Sequence, residues 1–282
     1  MIKAFIIAIA LVMSCAQSAS AQSSSPLEQL SAGHVDATED MFSRLQTKFE
    51  KGLASEYELL DAYKAFYQRE DRYRAQLNMW IKSYPKSASA YLARGVYYRK
   101  LGEFRRGTSY IAQVPRENLS YMTQMFSLAK IDLEAALGLN PKSYLAMLHL
   151  LNIAQFEGDD RAADKYLAAG NAVLPSNFLV RARYLIHLTP RWGGSYRRMD
   201  SFIEECQSRG VAQDKIDLLN AIKRDDQGAV AGERGSTAQA QALYKEALLL
   251  ARSAGPRFRR DYLGFSAGIC SEPEHRSKEY CQ

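Results

Sequence analysis

The spacing of the prolines constrains the fold of this chain more than any other feature of its sequence. Pro85, Pro141 and Pro175 each follow a stretch in which apolar residues recur with helical periodicity. Proline ends a helix because it lacks the backbone N–H and blocks the preceding turn. Pro141 and Pro175 lie 34 residues apart, the length of a common repeat made of two antiparallel helices. The spacing therefore predicts a stacked array, since one helix pair cannot bury its apolar face alone.

The two central segments resemble the tetratricopeptide repeat, in which small residues let paired helices approach each other closely. In the first of these segments, the matching residues are Tyr91, Gly95, Tyr98, Gly102, Phe104, Ala129, Leu133, Ala136 and Pro141. In the second, Gly158 lies at the predicted turn and Ala163 at the helix crossing. The resemblance implies an all-α fold, a tetratricopeptide-like right-handed superhelix of antiparallel helix pairs (an α-solenoid).

The repeat domain is predicted to span residues 39–253. The segment from Pro85 to Pro141 is 56 residues long, and its excess length predicts a loop at 107–122. Less regular helix pairs are predicted at 54–84, 178–208 and 212–253. Within the last pair, three glycines predict a loose loop at Gly228, Gly232 and Gly235. Terminal helix pairs that depart from the repeat pattern are expected, because they cap the ends of a repeat array.

The N-terminus has the order of a secretory signal. A basic start at Lys3 precedes ten apolar residues, and small residues follow up to Ala21. Ten residues are too few to cross a bilayer as a helix. The pattern predicts a signal peptide at 1–21, cleaved between Ala21 and Gln22, and a mature protein that is periplasmic or secreted.

An alternative for the N-terminus is a lipoprotein with a lipid anchor at Cys15, although the methionine two residues earlier fits that pattern poorly. The mass of the mature N-terminus would separate the two. Residues 22–38 are rich in Ser, Gln, Ala and Gly and predict a flexible leader. Residues 254–282 predict an irregular tail, in which export allows a disulfide between Cys270 and Cys281.

The charge of the chain argues against a nucleic-acid partner. The formal net charge is +6 at pH 7, and the lysines and arginines are scattered without a run of five. Export argues in the same direction. After the signal peptide, no stretch of the sequence is apolar enough to predict a membrane span.

The sequence carries no motif of a catalytic, cofactor or metal site. The four histidines lack metal-ligand spacing; they are His34, His149, His187 and His275. Paired acids such as Glu204 and Glu205 point apart on a helix because adjacent residues do not share a face. We therefore expect a protein that is not an enzyme and that needs no cofactor.

The segment Pro190-Arg191-Trp192-Gly193-Gly194-Ser195 interrupts the fourth helix pair. Pro190 is expected to end a helix, the two glycines to allow close approach, and Ser195 to cap the next helix. The string resembles a motif of an uncharacterised bacterial family of domain-of-unknown-function proteins with tetratricopeptide-like repeats. That resemblance implies the fold and no activity.

Two interpretations of this loop stay open. As a binding site, it would hold an anion at a helix start, with Arg191, Trp192, Ser195 and Tyr196 as candidate contacts. As a structural plug, Trp192 would fill the gap between two helix pairs while Arg191 bonds a neighbouring carbonyl or carboxylate. A large aromatic residue beside two glycines favours the plug.

The inner wall of a tetratricopeptide array comes largely from first helices. Carried over to this chain, the family's positions give a wall of Val96, Arg99, Lys100, Leu148, Asn152, Gln155 and Phe156. Amides bond a peptide backbone and cations take its carboxylates, so Arg99, Lys100, Asn152 and Gln155 are candidate binding residues. Arg99 and Lys100 could equally be ordinary solvated residues.

Three functions remain. The first is an exported scaffold that binds a protein or peptide partner of unknown identity in the bacterial envelope. The second is a small-ligand receptor or hydrolase with a site near Arg191–Tyr196. The third is a lipid-tethered spacer, which requires a lipid on Cys15.

Overall fold

A computed structural model describes residues 25–252, and the protein is all-helical over that range. Short 3-10 turns lie at 64–66, 71–73, 111–113 and 190–192. The α-helices are α1 (Pro26–Ser31), α2 (Val35–Glu50), α3 (Glu56–Tyr63), α4 (Arg74–Ser83), α5 (Ala88–Arg106), α6 (Arg116–Leu139), α7 (Tyr144–Glu157), α8 (Asp160–Val173), α9 (Leu179–His187), α10 (Tyr196–Ser208), α11 (Gln213–Glu233) and α12 (Thr237–Ala251).

Consecutive helices form the closest partners in the fold. Helix α5 packs along α6, α7 along α8, and α11 along α12. Helix α7 also contacts α5 on one side and α9 on the other. One extended core of buried side chains runs through these layers, with Trp80, Tyr97, Phe126 and Tyr144 among its largest members. The prediction of an all-α fold is confirmed.

Glycines set the close approach of α5 and α6. A Cβ atom added to Gly95 would lie 2.8 Å from Cγ of Leu133, and one added to Gly102 would lie 3.1 Å from the Phe126 ring. Both glycines therefore stand where the backbone of one helix meets side chains of the next. The small-residue positions inferred from the repeat pattern have the packing role expected of them.

The flexible leader predicted at 22–38 is wrong for its described part. Residues 26–31 and 35–50 are helices, and Leu27, Leu30 and Val35 are buried in the core. Ser25 and Glu28 form a capping box, in which each side chain accepts a hydrogen bond from the other's backbone N–H. The polar composition of residues 22–38 gave no indication of these few apolar contacts.

Two predicted loops are also helical over much of their length. Helix α5 continues through Gly102 to Arg106, and α6 begins at Arg116, so the insertion predicted at 107–122 is a loop only at 107–115. Helix α11 likewise runs through Gly228, where an added Cβ would lie 2.7 Å from the Tyr244 ring. Gly228 was interpreted as a loop residue, but it faces a packed neighbour within a helix.

A buried carboxylate joins three helices. Glu56, at the start of α3, is 4% exposed. It accepts hydrogen bonds from the Tyr144 hydroxyl of α7 at 2.5 Å and from the backbone N–H groups of Phe178 and Leu179 at 2.8 and 3.0 Å. The last two groups lie at the N-terminus of α9, where the helix dipole attracts negative charge. Glu56 thereby ties the start of α3 to α7 and to the start of α9.

The Pro190–Ser195 loop has the local geometry expected from its sequence. Helix α9 ends before Pro190, and the Ser195 side chain accepts a hydrogen bond from the Arg198 N–H at the start of α10. Gly193 has a left-handed φ of 86°. A Cβ on Gly194 would lie 2.0 Å from the carbonyl oxygen of Leu188, so the chain passes too close there for any side chain.

Several predictions fall on residues outside 25–252. They are the signal peptide at 1–21 with its cleavage between Ala21 and Gln22, the lipid anchor at Cys15, the tail at 254–282, and the Cys270–Cys281 disulfide. Within the described residues, Cys206 is a buried free thiol. No helix among them is long and apolar enough to cross a membrane.

Candidate binding site

A cavity of about 170 Å³ opens between the first helices of successive pairs. We call it the cationic cavity. Its walls come from α3 and the turn after it, from α5, from α7 and from α9. The lining residues are Leu60, Lys64, Tyr67, Arg99, Lys100, Leu148, His149, Asn152, Leu179, Ala182, Arg183 and Ile186.

Arg99 lies at the centre of the polar side of this cavity and is 3% exposed. Its Nη1 donates to Oε2 of Glu103 and to Oδ1 of Asn152, each at 2.7 Å. Lys100 Nζ lies 2.9 Å from the same Glu103 oxygen. One carboxylate therefore serves two cations, while the amide of α7 holds the guanidinium in place.

Positive charge exceeds negative charge around the cavity. Lys64, Arg99, Lys100 and Arg183 all line it, and no acidic residue does. Burial alone would raise the pKa of Glu103, but Arg99 and Lys100 outweigh burial and lower that pKa to about 2. The carboxylate is therefore ionised at every physiological pH.

Lys100 is the cation that this crowding affects most. Burial first, and the charge of Arg99 second, lower the pKa of Lys100 to about 8. Its ammonium also lies 4.4 Å from the ring centre of Tyr67, in cation–π contact. Lys100 is protonated at pH 7, yet it would gain from a second carboxylate, because a further negative charge stabilises the ammonium.

Two buried nitrogen atoms of the cavity have no hydrogen-bond partner. They are Nε of Arg99 and Nε2 of His149, whose residue is 2% exposed. Burial and the nearby cations lower the pKa of His149 well below its usual value, so its imidazole is neutral and carries one donor and one acceptor nitrogen. Buried polar groups without partners are rare and costly. Both atoms belong to residues that line the cavity.

Comparison of the chain with models of protein families, with curated proteins and with solved structures gave no significant match. The chemistry of this site therefore follows from its geometry. It offers cations, an amide, a neutral imidazole and an aromatic wall, which together suit a carboxylate on a partly apolar stem. Among the described residues, no group of three or more metal-binding side chains converges.

The structure brings together part of the predicted binding surface. Arg99, Lys100 and Asn152 line the cationic cavity. Arg99 and Lys100 are not ordinary solvated residues, since their side chains are 3% and 13% exposed. Gln155 is also buried, and its Oε1 accepts from Arg183 Nη1 at 3.4 Å.

The sequence reasoning missed four residues that complete the cavity. They are Lys64, Tyr67, His149 and Arg183. His149 lies three residues before Asn152 on α7, so helical spacing alone placed the two on one face. Lys64, Tyr67 and Arg183 lie in the outer, less regular pairs, where residues could not be assigned to positions of the repeat.

The predicted loop residues divide between two places. Trp192 packs edge-on against Phe156 with 5.0 Å between ring centres, and Arg191 donates to the carbonyl of Thr108. Ser195 caps α10, and the Tyr196 hydroxyl donates to Asp226 of α11 at 2.9 Å. These contacts favour the structural interpretation of the loop, in which Trp192 is a plug.

Proposed function

We propose that this protein is an exported helical-repeat scaffold that binds a protein or peptide partner in the bacterial envelope without catalysing a reaction. The proposal includes a tetratricopeptide-like superhelix, a signal peptide cleaved after Ala21, and kinship with the uncharacterised family that shares the Pro190–Ser195 motif. In this proposal, the cationic cavity holds a carboxylate of the partner.

One observation carries the proposal. The cationic cavity has four cations in its wall, and two of its buried nitrogens lack hydrogen-bond partners. A protein that only needed a stable core would gain little from such a cluster, because burying charge costs more than burying apolar side chains of similar size. A bound carboxylate offsets that cost by supplying the missing acceptors.

Peptide pools that differ only in charge test this function. We expect fluorescence anisotropy to show that a labelled acidic pool binds the protein and that neutral and basic pools do not. Lys100→Gln and Arg183→Gln should each weaken binding about tenfold, which is the loss of one charge-assisted contact. Lys82→Gln removes an exposed lysine of α4 that does not line the cavity, and it should leave binding unchanged.

Three outcomes would contradict the proposed function. They are equal binding of all pools, equal loss in Lys82→Gln and Lys100→Gln, and binding of free succinate as tight as binding of the acidic pool. The last result would favour a receptor for small carboxylates. Thermal unfolding of each variant separates a lost contact from a lost fold.

Binding of the acidic pool should depend on pH through Lys100. Because the pKa of Lys100 is about 8, its ammonium is lost between pH 7 and pH 9.5, and the attraction for a carboxylate is lost with it. We expect the dissociation constant to rise about tenfold over this interval. Lys100→Gln has no ammonium to lose, so its affinity should change little. A wild-type affinity that stays flat to pH 9.5 would exclude Lys100 as a contact.

A further inference from the structure

A second hollow shares α5 and α7 with the cationic cavity; six of its eleven lining residues are apolar or aromatic, and two arginines and a glutamate are among the others. We call it the aromatic hollow; its volume is about 280 Å³. Phe156 and Trp192 form its floor, and the Arg106 guanidinium lies 5.7 and 5.8 Å from their ring centres. Ile111 and Tyr110 stand at its rim with 65% and 44% of their surfaces exposed. Large apolar groups are thus presented to solvent next to a charged cavity.

The two hollows are neighbours along the same two helices. On α5, Arg99 lines the cationic cavity and Arg106 lines the aromatic hollow. On α7, the corresponding residues are His149 and Phe156. Both intervals are seven residues, which is nearly two turns, so each pair shares one helix face. The rise over seven residues is about 10 Å.

Gln155 connects the two hollows. It lines the aromatic hollow and is 3% exposed, while its Oε1 accepts from Arg183, which lines the cationic cavity. One hydrogen bond therefore links a residue of the aromatic hollow to a residue of the cationic cavity.

We propose that the partner binds as an extended segment with an Asp or Glu side chain in the cationic cavity and a large apolar side chain in the aromatic hollow, three residues away. This deepens the proposed function and rests on it. In the left-handed extended conformation with three residues per turn, a chain advances about 3.1 Å per residue, so three residues cover about 9 Å and bring both side chains to the same face. The positive charge of the cationic cavity favours an acidic side chain of the partner, and the exposed Ile111 and Tyr110 favour an apolar side chain beside it.

The test is a series of labelled ten-residue peptides, acetylated and amidated so that no terminal charge contributes. Each carries one Glu and one Phe in a Gly/Ser/Ala background, in either order, with the two residues separated by one to six positions along the chain. We expect a spacing of three to bind best in one of the two orders. Replacing Phe with Ala should cost about tenfold in affinity, as expected for a half-buried aromatic ring.

A matched pair of variants locates the apolar contact. Ile111→Ser should weaken binding of the Glu/Phe peptide severalfold and leave the Glu/Ala peptide unaffected. Ile131→Ser is the control, because Ile131 is also 65% exposed but lies on α6 and lines neither hollow. It should change neither peptide. Since both isoleucines are exposed, neither substitution threatens the core.

The outcomes separate this inference from the function on which it rests. If acidic peptides bind with no preference for spacing, or if Ile111→Ser and Ile131→Ser behave alike, the two-point segment is wrong and the scaffold remains. If the amidated peptides fail to bind and the same peptides with a free C-terminal carboxylate bind, the side-chain carboxylate is wrong and the scaffold remains. If no acidic peptide binds, both proposals fail.

Discussion

Glu56→Ala is expected to lower the free energy of unfolding by about 3–5 kcal/mol, since it leaves three buried donors without an acceptor and each costs about 1–3 kcal/mol. The donors are the Tyr144 hydroxyl and the N–H groups of Phe178 and Leu179. No water can easily replace the carboxylate, because Tyr144 and Phe178 are fully buried. Denaturation in urea measures the change.

Two comparisons sharpen this prediction. Glu134→Ala removes an exposed carboxylate of α6 and should change stability by less than about 0.5 kcal/mol. In a double-mutant cycle with Tyr144→Phe, the effects of losing Glu56 and losing the hydroxyl should fall short of additivity by about 1 kcal/mol or more. Additive effects would mean that the Glu56–Tyr144 hydrogen bond contributes nothing to the joint between α3 and α7.

Gly194→Ala is expected to destabilise the protein by more than about 3 kcal/mol, and Gly193→Ala by about 1–2 kcal/mol. At Gly194, the new methyl group would lie 2.0 Å from the Leu188 carbonyl oxygen, so backbone must move. At Gly193, φ is 86° but nothing lies within 4 Å of an added Cβ, so the cost is conformational only. Urea denaturation of the two variants measures the difference.

The two adjacent alanine substitutions are each other's control, because they add the same methyl group to the same loop. The Gly194 variant should also shift Trp192 from its place against Phe156, which changes its fluorescence in the folded state. Equal destabilisation by both variants would show that the close approach to Leu188 does not limit the loop.

Local features of the fold were predictable from sequence. Periodicity, Pro190 and Ser195 locate the end of α9 and the start of α10, because these signals act within a few residues. The leader shows the limit of composition. Its Ser25 and Glu28 carry a capping-box pattern that predicts a helix start, but the surrounding Ser, Gln and Gly outweighed that signal.

Gly228 in α11 shows a different limit. It was expected in a loop, yet it lies within a helix, where the Tyr244 ring occupies the space of a missing Cβ. Only the position of the partner helix distinguishes a packing glycine from a turn glycine. Sequence periodicity describes one helix and carries no information on its neighbour.

The candidate site was predictable only on the helices that follow the repeat. Arg99, Lys100 and Asn152 come from the two segments that match the repeat, and they meet at separations of up to 53 residues in the chain. Tyr67 and Arg183 reach the same cavity from irregular outer pairs. Their approach depends on how those pairs pack, and the joint at Glu56 that fixes this packing spans more than 120 residues.

A carboxylate that entered the cationic cavity would compete with Glu103 for the same cations. The Glu103 carboxylate already bridges Arg99 and Lys100, which lie on the same helix. A partner's carboxylate would therefore bind cations that are already ion-paired. Under the proposed function, the free energy gained on binding is reduced by any contact that Glu103 gives up, and we expect selectivity to come from contacts beyond the charge.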